Sequence, residues 1–581
     1  MDAVLAGTVA VVITSALVMR LSYFWLLPKP IPDIPHNPIT GILGDIPAFT
    51  NNKKNGNKLF SGFMADMVKT HGPISQVSYV YCLYADARGY NYRLEILLGW
   101  HRMVIVADKE EAERLTSGGK IADMAERFRS TFATALPRSQ LSLPADETWK
   151  KHRQLAGPSM SKRYLERMSE RIAFGATELI RLWEAKYALV GSTAFEADLD
   201  FHFATMDSIV NISLGESIGC IESACGALPS TYSPSAKIAH FPRSEPPPLY
   251  TAGKVIAKEF DKALQSPFPS LTTWIFTYTS PTWWKNYNFM VSFFTSAITC
   301  AREREAKLES AGQGLSTDAD CVLDMIVQRE RREGVETLGD RDILDELITY
   351  VFAGQDTAAS VLSWLVKYLP TNPEIQQKLH EEMRSVFGAD TESNSGLDFD
   401  LLDNSERVPI LEAVVAETLR CAAVAALISR ELLKDEIILG RFVPKGKSRM
   451  CFRSTLGKLI VVLPSKGTHM IFATDAMGKD VSVWGPDAEE WRPTRWLTQD
   501  GLFNRSAGPS IPFGMGQRSC FGQRLAIHQL KMYLAIMSRR FFFKMVPPEV
   551  GTWEVVEVVT RRPKMCYVSL EKWESKTHAQ G

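Results

Sequence analysis

The spacing of hydrophobic residues predicts helices along most of this chain. After Asn372 and Pro373, which suit the N-cap and first turn of a helix, apolar residues recur every three or four positions until Gly388. A longer helical pattern covers residues 340–369 and ends at Pro370. Further helical patterns cover residues 60–70, 147–168, most of 170–310, 408–420 and 523–541, whereas residues 98–106 have the pattern of a turn and a strand.

The N-terminus is predominantly apolar. Residues 3–19 carry no charge, and the apolar character resumes after Arg20, which gives a stretch long enough to cross a bilayer at about 20 residues. Residues 1–27 therefore predict a single transmembrane anchor. A cleaved signal peptide is the alternative, and we prefer the anchor because residues 23–25, Tyr-Phe-Trp, suit a membrane interface.

Charge and proline follow the apolar stretch. Arg20 and Lys29 on its C-terminal side, against Asp2 at the other end, predict that the following domain is in the cytoplasm. Residues 28–45 are predicted to form an extended, stiff hinge because they are rich in proline. The prolines are Pro28, Pro30, Pro32, Pro35 and Pro38.

Residues 46–581 have the composition of one large globular domain. The chain of 581 residues is 45% hydrophobic, has a formal net charge of zero and has no linker-like stretch in its middle. The neutral balance gives no reason to expect nucleic acid as a partner. Nine cysteines without framework spacing indicate free thiols in a reducing compartment.

Two segments have no interpretable pattern. The tyrosine-rich residues 78–93 lack a clear period and suggest a loop inserted into a hairpin. Residues 447–466 contain a basic, cysteine-bearing insert between two similar Pro-Lys-Gly-like turns. Both segments are either functional insertions or artefacts of the sequence, and the pattern leaves that open.

One cysteine near the C-terminus lies in an unusual electrostatic setting. It belongs to Phe513-Gly514-Met515-Gly516-Gln517-Arg518-Ser519-Cys520-Phe521-Gly522, directly before the helical pattern of residues 523–541. A helix N-terminus presents N–H groups to the Cys520 sulfur and Arg518 adds positive charge, so we expect the thiolate to be favoured over the thiol. The glycines of this loop allow a flat ligand to approach closely. An ordinary buried thiol is the alternative for a cysteine considered alone.

The pattern Phe-x-x-Gly-x-Arg-x-Cys-x-Gly resembles the heme-binding loop of the cytochrome P450 family. The resemblance implies that Cys520 is the axial ligand of a heme iron and that Arg518 contacts a heme propionate. It extends over nearly the whole chain. It therefore implies a mainly α-helical domain with small β-sheets over residues 46–581, the cytochrome P450 fold, preceded by the transmembrane helix.

Trp149 and Arg153 lie four residues apart and so project from one face of a predicted helix. An indole N–H and a guanidinium both donate to carboxylates. The family has a Trp-x-x-x-Arg pair that binds a heme propionate at this place, and the resemblance implies that role for both residues. Arg430 matches a further propionate-binding arginine of the family less well, because the prolines usual before it are absent.

The long helical pattern contains Ala-Gly-Gln-Asp-Thr at residues 353–357. Glycine costs about 1 kcal/mol in a helix interior, and Asp and Thr side chains compete for backbone hydrogen bonds, so we expect a locally loosened helix. In the family this motif lines the distal side of the heme. The resemblance implies that Thr357 hydrogen-bonds dioxygen and that Asp356 relays protons from solvent.

Glu417 and Arg420 share a face of another predicted helix. The family closes such a Glu-x-x-Arg pair into a buried triad with a second arginine, for which Arg495 is the candidate. Trp491 and Thr494 depart from the phenylalanine and glutamate that the family commonly has there. The resemblance implies that the triad braces the cysteine loop and does no chemistry.

The resemblance to this family implies a b-type heme and a monooxygenase that inserts one oxygen atom of O2 into an apolar small molecule. We expect this substrate to be a terpenoid-like secondary metabolite. No Gly-x-Gly-x-x-Gly pattern follows a strand, so we expect NADPH to supply electrons indirectly, through a separate NADPH-dependent cytochrome P450 reductase. We expect the protein in the endoplasmic reticulum membrane, with a single membrane pass and a cytoplasmic catalytic domain.

Two other function classes keep parts of this pattern. A heme-thiolate isomerase or a peroxide-using enzyme would retain Cys520 without needing a reductase. A non-catalytic heme-binding protein would need the cysteine loop and would not need Asp356 and Thr357.

Overall fold

The structure is a computed structural model that describes residues 2–25, 27–54, 59–86, 93–232, 237–266, 269–310, 319, 321–332, 338–388, 397–446, 450–453, 460–463, 468–557 and 559–573. The chain divides into two compact units. The first unit is Met1–Ala125 with Leu427–Ala476, and the second is Glu126–Ala426 with Met477–Gly581. The single domain that the sequence predicts over residues 46–581 stays a prediction.

Helices dominate the described residues. The α-helices are α1 (Asp2–Trp25), α2 (Ile46–Lys54), α3 (Phe60–His71), α4 (Lys109–Thr116), α5 (Glu126–Ala133), α6 (Glu147–Ala156), α7 (Lys162–Arg167), α8 (Ser169–Val190), α9 (Asp198–Leu214), α10 (Cys220–Gly226), α11 (Pro248–Gln265), α12 (Pro269–Thr279), α13 (Pro281–Ser310), α14 (Val322–Arg332), α15 (Asp340–Tyr368), α16 (Pro373–Phe387), α17 (Phe399–Asp403), α18 (Pro409–Ala422), α19 (Thr474–Gly478), α20 (Val481–Trp484) and α21 (Gln523–Arg540). Short 3₁₀ turns cover Ser117–Gly119, Gly157–Met160, Leu369–Thr371, Pro493–Trp496 and Gly516–Arg518.

The strands are short apart from the first two. They are β1 (Ile74–Asp86), β2 (Arg93–Val106), β3 (Ala122–Met124), β4 (Ala194–Glu196), β5 (Ile238–Ala239), β6 (Ile428–Leu432), β7 (Glu436–Ile438), β8 (Arg441–Val443), β9 (Met450–Arg453), β10 (Ile460–Leu463), β11 (His469–Phe472), β12 (Phe541–Lys544), β13 (Val555–Glu557), β14 (Arg561–Pro563) and β15 (Tyr567–Lys572). The predicted mainly α-helical fold with small β-sheets is confirmed.

The apolar N-terminus forms α1, but the predicted transmembrane anchor over residues 1–27 is not confirmed. Over the part of the chain that the structure describes, no helix combines the length and the apolar character needed to cross a bilayer. Arg20 lies inside α1, where its guanidinium is 5.8 Å from the ring centre of Phe24.

The first unit is built on a five-stranded sheet with the order β1-β2-β11-β6-β3. Strand β11 is parallel to β2, and the other neighbouring strands are antiparallel. The apolar side chains of α3, among them Phe63 and Met67, pack with Met103 and Ile105 of β2 into a buried cluster. Hydrophobic burial of one sheet face thus holds α3 on this unit.

The described residues of the segment 78–93, which are 78–86 and 93, belong to the paired strands β1 and β2. Strand β1 pairs with β2 from Ile74↔Val106 to Asp86↔Arg93, with a register shift between Cys82 and Tyr84. The predicted hairpin is present, whereas the predicted loop is wrong for residues 78–86, because backbone pairing continues through them. Residues 87–92 lie outside the described residues.

The second unpatterned segment, residues 447–466, is described only in part. Strands β9 and β10 pair antiparallel from Ile460↔Arg453 to Leu463↔Met450. Residues 447–449, 454–459 and 464–466 lie outside the described residues. Whether the insert is functional stays untested.

The second unit has its core where α8, α9, α15 and α21 meet. Trp183 of α8, Phe201 of α9 and Tyr533 of α21 are each 0% exposed in this core. The hydroxyl groups of Tyr533 and Ser208 share a hydrogen bond of 2.9 Å between α21 and α9. The helix that follows the cysteine loop is therefore fixed in a packed core rather than on the surface.

Helix α15 runs without interruption from Asp340 to Tyr368, so the locally loosened helix expected at residues 353–357 is not found. Gly354 has a packing reason instead. A Cβ atom at Gly354 would lie 2.8 Å from Cδ1 of Ile209 in α9, closer than ordinary van der Waals contact. The glycine therefore allows α9 and α15 to approach each other closely.

A hairpin lies against α15 in the second unit. Strands β13 and β14 are antiparallel, and Thr560 lies at their connection. The indole Nε1–H of Trp364 in α15 donates to the carbonyl of Arg561 at 3.0 Å. The hairpin is thereby tied to the C-terminal half of α15.

Candidate functional site

The cysteine loop is closed by backbone hydrogen bonds. Gly514 and Gly516 both have φ of 69°, a left-handed conformation that favours glycine. The N–H of Cys520 donates to the carbonyl of Phe513 at 2.8 Å, which closes the loop just before α21 begins at Gln523. The local sequence thus fixes the place where the Cys520 side chain leaves the backbone.

The Cys520 side chain is accessible to solvent. Burial by the surrounding protein nevertheless raises the pKa of its thiol, and the Gly522 N–H and Arg153 oppose that rise. The sulfur is therefore accessible and at the same time closely surrounded by protein. We call Cys520 with Trp149, Arg153 and Arg518 the thiol recess.

The expectation that the protein itself favours the Cys520 thiolate is corrected in one respect. Desolvation outweighs the helix N-terminus and the nearby cation, so the pKa of Cys520 lies above its ordinary value. Arg153 is a cation that opposes this rise. A metal ion at the sulfur would supply the missing stabilisation, because a coordinating thiol is deprotonated.

Arg153 holds the cysteine loop directly. Its Nη2 donates to the carbonyl of Ser519 at 2.7 Å and to that of Gln517 at 3.1 Å. Its guanidinium carbon lies 5.3 Å from the ring centre of Trp149 and 5.2 Å from that of Phe521. Arg153 therefore sits between two aromatic rings and braces the two residues on either side of Arg518.

Arg518 shares the indole of Trp149 with Arg153. Its guanidinium carbon is 4.4 Å from the ring centre, and its N–H groups donate to the carbonyls of Gln140 at 2.9 Å and Leu143 at 2.8 Å. Two cations thus lie close together. Burial lowers the pKa of Arg153 and Arg518 lowers it further, whereas Cys520 and Glu346 oppose the shift.

The residues present fit the heme that the resemblance implies. The accessible thiol of Cys520 is a fitting iron ligand, and the buried indole of Trp149 with the cations Arg153 and Arg518 provides donors for anionic propionates. The structure brings these four predicted residues together. Phe521, Gln140 and Leu143 complete this group and were not predicted.

The residues Asp356 and Thr357 lie side by side on α15, as the sequence requires. The Thr357 hydroxyl is exposed and donates to the carbonyl of Ala353, one turn earlier, at 2.7 Å. Oδ2 of Asp356 accepts from the Thr560 hydroxyl at 2.6 Å. Thr560 is therefore a direct partner of the predicted acid, and no sequence motif indicated it.

Other charged groups surround Asp356. Burial lowers the pKa of Lys254, and Asp356 acts on it in the opposite direction. Burial raises the pKa of Asp261 to about 6, and Asp356 raises it as well. The predicted acid thus lies among partly desolvated ionisable groups, an arrangement that often accompanies proton transfer.

The middle of the 353–357 motif is anchored to α9. The amide of Gln355 is buried and pairs with Nδ1 of His202 at 2.6 Å. Nε2 of His202 accepts from Arg562 at 2.9 Å, and burial holds the pKa of His202 well below its ordinary value. Neutral His202 therefore links α15 to the β13–β14 hairpin.

Glu417, Arg420 and Arg495 are brought together in a buried cluster. The Arg420 guanidinium donates to both carboxylate oxygens of Glu417 at 2.7 Å, and Nε of Arg495 is 3.4 Å from Glu417 Oε1. Trp491, one of the departures from the family pattern, donates its Nε1–H to Thr418 at 3.1 Å. The indole thus takes part in fixing the cluster.

Arg430 lies in β6 of the first unit. Its side chain is buried, and its Nη1 donates to the carbonyl of Ser429 at 2.9 Å. The role of Arg430 towards a propionate stays a prediction.

Comparisons with known proteins identify the family of this chain. The family model "Cytochrome P450" matches residues 85–458 and 461–566. The cytochrome P450 monooxygenase GME11363 of Pestalotiopsis microspora is 27% identical over 97% of this chain and 98% of its own length, and TRI13 of Fusarium sporotrichioides is 25% identical over 97% and 98%. The Hps1-dma1 cluster cytochrome P450 monooxygenase cyp3.1 of Dothistroma septosporum is 29% identical over 48% of this chain and 95% of its own length. Because the family model matches most of its length, the chain belongs to the cytochrome P450 family of heme-thiolate monooxygenases.

Proposed function

We propose that this protein inserts one oxygen atom of O2 into an apolar small molecule and reduces the other atom to water with two electrons and two protons. The observation that carries the proposal is the accessible thiol of Cys520, held in a recess beside Trp149, Arg153 and Arg518. Heme bound through this sulfur supplies the activation of dioxygen. The protein supplies the ligand and the propionate donors, and it passes protons from solvent to the site.

Asp356 and Thr357 are the residues that we assign to proton handling. The Thr357 hydroxyl donates its proton to Ala353 O and so presents its oxygen lone pairs to the exposed side of α15. Asp356 is held through Oδ2 by Thr560 and lies next to Thr357 in the chain. This arrangement supports a path in which Asp356 passes a proton towards a ligand near Thr357.

For the electrons we propose a separate NADPH-dependent cytochrome P450 reductase. The support is that the sequence has no Gly-x-Gly-x-x-Gly pattern after a strand that would bind a dinucleotide in this chain. The location in the endoplasmic reticulum membrane, with the catalytic domain in the cytoplasm, stays a prediction. Fractionation of cells that express the full chain tests it.

The proposed substrate class is an apolar, terpenoid-like secondary metabolite. The support is indirect, since one similar protein carries the name of a gene cluster and clustered genes are typical of secondary metabolism. Product analysis with a panel of apolar terpenoids, steroids, fatty acids and aromatics would identify the class.

The reaction type is tested with reductase, NADPH and ¹⁸O2. We expect one ¹⁸O atom in each product molecule and NADPH consumption that depends on the substrate. Activity with peroxide alone, without any turnover by reductase and NADPH, would instead establish the peroxide-using alternative. An isomerised product without ¹⁸O would establish the isomerase alternative.

A further inference from the structure

A buried carboxylate connects the elements around the thiol recess. Glu346 of α15 is 2% exposed. It accepts from the backbone N–H of Gln140 at 2.8 Å, from Gln140 Nε2 at 3.1 Å and from His152 Nδ1 at 2.7 Å. An ionised carboxylate only accepts hydrogen bonds, and three N–H groups converge on this one. Glu346 thus places a buried carboxylate between α15, α6 and the loop before α6.

One partner of Glu346 holds a cation of the recess, and the other is the chain neighbour of the second cation. The carbonyl of Gln140 accepts from Arg518 at 2.9 Å. His152 is the residue before Arg153 in α6. Displacement of the Glu346 carboxylate would therefore disturb both cations.

Tyr350, one turn after Glu346 in α15, makes a third connection. Its hydroxyl accepts from Gln140 Nε2 at 2.9 Å. Its ring stacks on Phe521, with the centroids 5.4 Å apart and the planes 14° from parallel. Phe521 follows the thiol residue directly, so the network around Glu346 reaches the cysteine loop from two sides.

The charges around the recess give Glu346 a second role. Arg153 and Arg518 lie over the same indole, and Glu346 is a buried carboxylate that contacts Gln140 and His152 on the loop and helix beside them. Inside a protein such charges are weakly screened, so that a single buried charge acts on its neighbours strongly.

We propose that Glu346 is a positioning residue of the thiolate site, which fixes Arg153 and Arg518 through His152 and Gln140 and whose buried charge lowers the reduction potential of heme bound at Cys520. The proposal rests on heme binding at Cys520 and not on monooxygenation. Reduction adds an electron to the iron, so a nearby negative charge disfavours it. Removal of that charge therefore makes the potential more positive.

The test compares Glu346→Gln with Asp345→Asn in the heme-loaded protein. Asp345 is a matched control because it is also buried in α15 and accepts a backbone N–H of the same loop, from Arg138 at 2.8 Å. Its ion-pair partner is Arg341, at 2.9 Å. We expect a positive shift of the midpoint potential in Glu346→Gln and a smaller shift in Asp345→Asn. No shift in Glu346→Gln, or an equal shift in both variants, would overturn the proposal.

A third variant separates charge from geometry. Glu346→Asp keeps the charge and withdraws the carboxylate by one methylene group. We expect it to retain a near-native potential and to release heme to an apomyoglobin acceptor faster than the native protein. A potential shifted as far as that of Glu346→Gln would show that only packing matters and contradict the proposed role of the charge.

Failure of Glu346→Gln to take up heme does not end the test. Gln140→Leu removes the side-chain N–H donor of Gln140 and leaves the Glu346 carboxylate in place. The negative charge of Glu346 is then less well compensated. We therefore expect the heme reduction potential to shift to more negative values. An unchanged potential in Gln140→Leu would count against the proposal. Failure of heme binding in the native protein would instead contradict the assignment of Cys520, which the carbon monoxide spectrum of the reduced protein detects separately.

Discussion

Arg153 combines two contacts that a lysine could not make together. Its planar guanidinium donates to the carbonyls of Gln517 and Ser519 while it packs against the rings of Trp149 and Phe521. A guanidinium has five N–H groups, so these two bonds leave donors for an anionic ligand. One residue can therefore hold the cysteine loop and still bind a propionate.

Thr560 is the second informative residue, because its hydroxyl donates to Asp356. Thr560→Val keeps the shape of the side chain and removes the donor. Loss of a hydrogen bond to a carboxylate costs about 1.5 kcal/mol. This energy corresponds to roughly a tenfold change in a rate constant that depends on the bond. We expect the fraction of NADPH electrons recovered in product to fall by up to about tenfold, with the remainder recovered as peroxide.

The control for Thr560→Val is Thr560→Ser, which retains the hydroxyl and should couple NADPH oxidation to product nearly as the native protein does. Equal coupling in the valine variant and the native protein would show that the bond to Asp356 has no part in proton delivery.

At the scale of the elements, the N-terminus of α18 is held by a side chain of α16. The Glu382 carboxyl accepts from the backbone N–H groups of Ile410 at 2.7 Å and Leu411 at 2.9 Å. Burial raises the pKa of Glu382 to about 7 from its ordinary 4.5. Helix α18 carries Glu417 and Arg420 of the buried cluster. Glu382 therefore holds the N-terminus of the helix that supports this cluster.

Glu382 makes stability depend on pH with a definite sign. Between its ordinary pKa of 4.5 and about 7, Glu382 keeps its proton in the folded protein and loses it in the unfolded chain. In this window the folded state binds more protons than the unfolded chain. The free energy of unfolding therefore falls as the pH rises through the window. Above about pH 7, Glu382 causes no further change in the free energy of unfolding. Thermal melting of Glu382→Gln should show a flatter dependence between these pH values than the native protein. Parallel curves for the two proteins would contradict this assignment.

At the scale of the whole molecule, local patterns predicted the helices and the cysteine loop well. The Asn372 cap of α16 and the end of α15 near Pro370 follow from backbone chemistry that a few residues determine. Partners such as Thr560 of Asp356 and His152 of Glu346 could not be found in this way. They lie 204 and 194 residues away in the chain, so only the tertiary fold brings them together.

Two expectations failed because tertiary context outweighed a local signal. Gly354 was expected to loosen α15, but close packing against Ile209 of α9 explains the glycine in an unbroken helix. The thiolate of Cys520 was expected from the helix N-terminus and Arg518, but burial dominates its pKa. Both cases depend on how much protein surrounds a residue, which a sequence pattern does not report.

The central claim is that Cys520 ligates a heme iron through its sulfur. The most direct measurement is the carbon monoxide difference spectrum of the reduced, heme-loaded protein, recorded for the native chain, Cys520→Ala and Cys300→Ala. Cys300 is an exposed cysteine of α13 and is a matched control. We predict the red-shifted Soret band of a thiolate-ligated heme in the native protein and in Cys300→Ala, and its loss in Cys520→Ala. Absence of that band in the native protein, or its persistence in Cys520→Ala, would contradict the account.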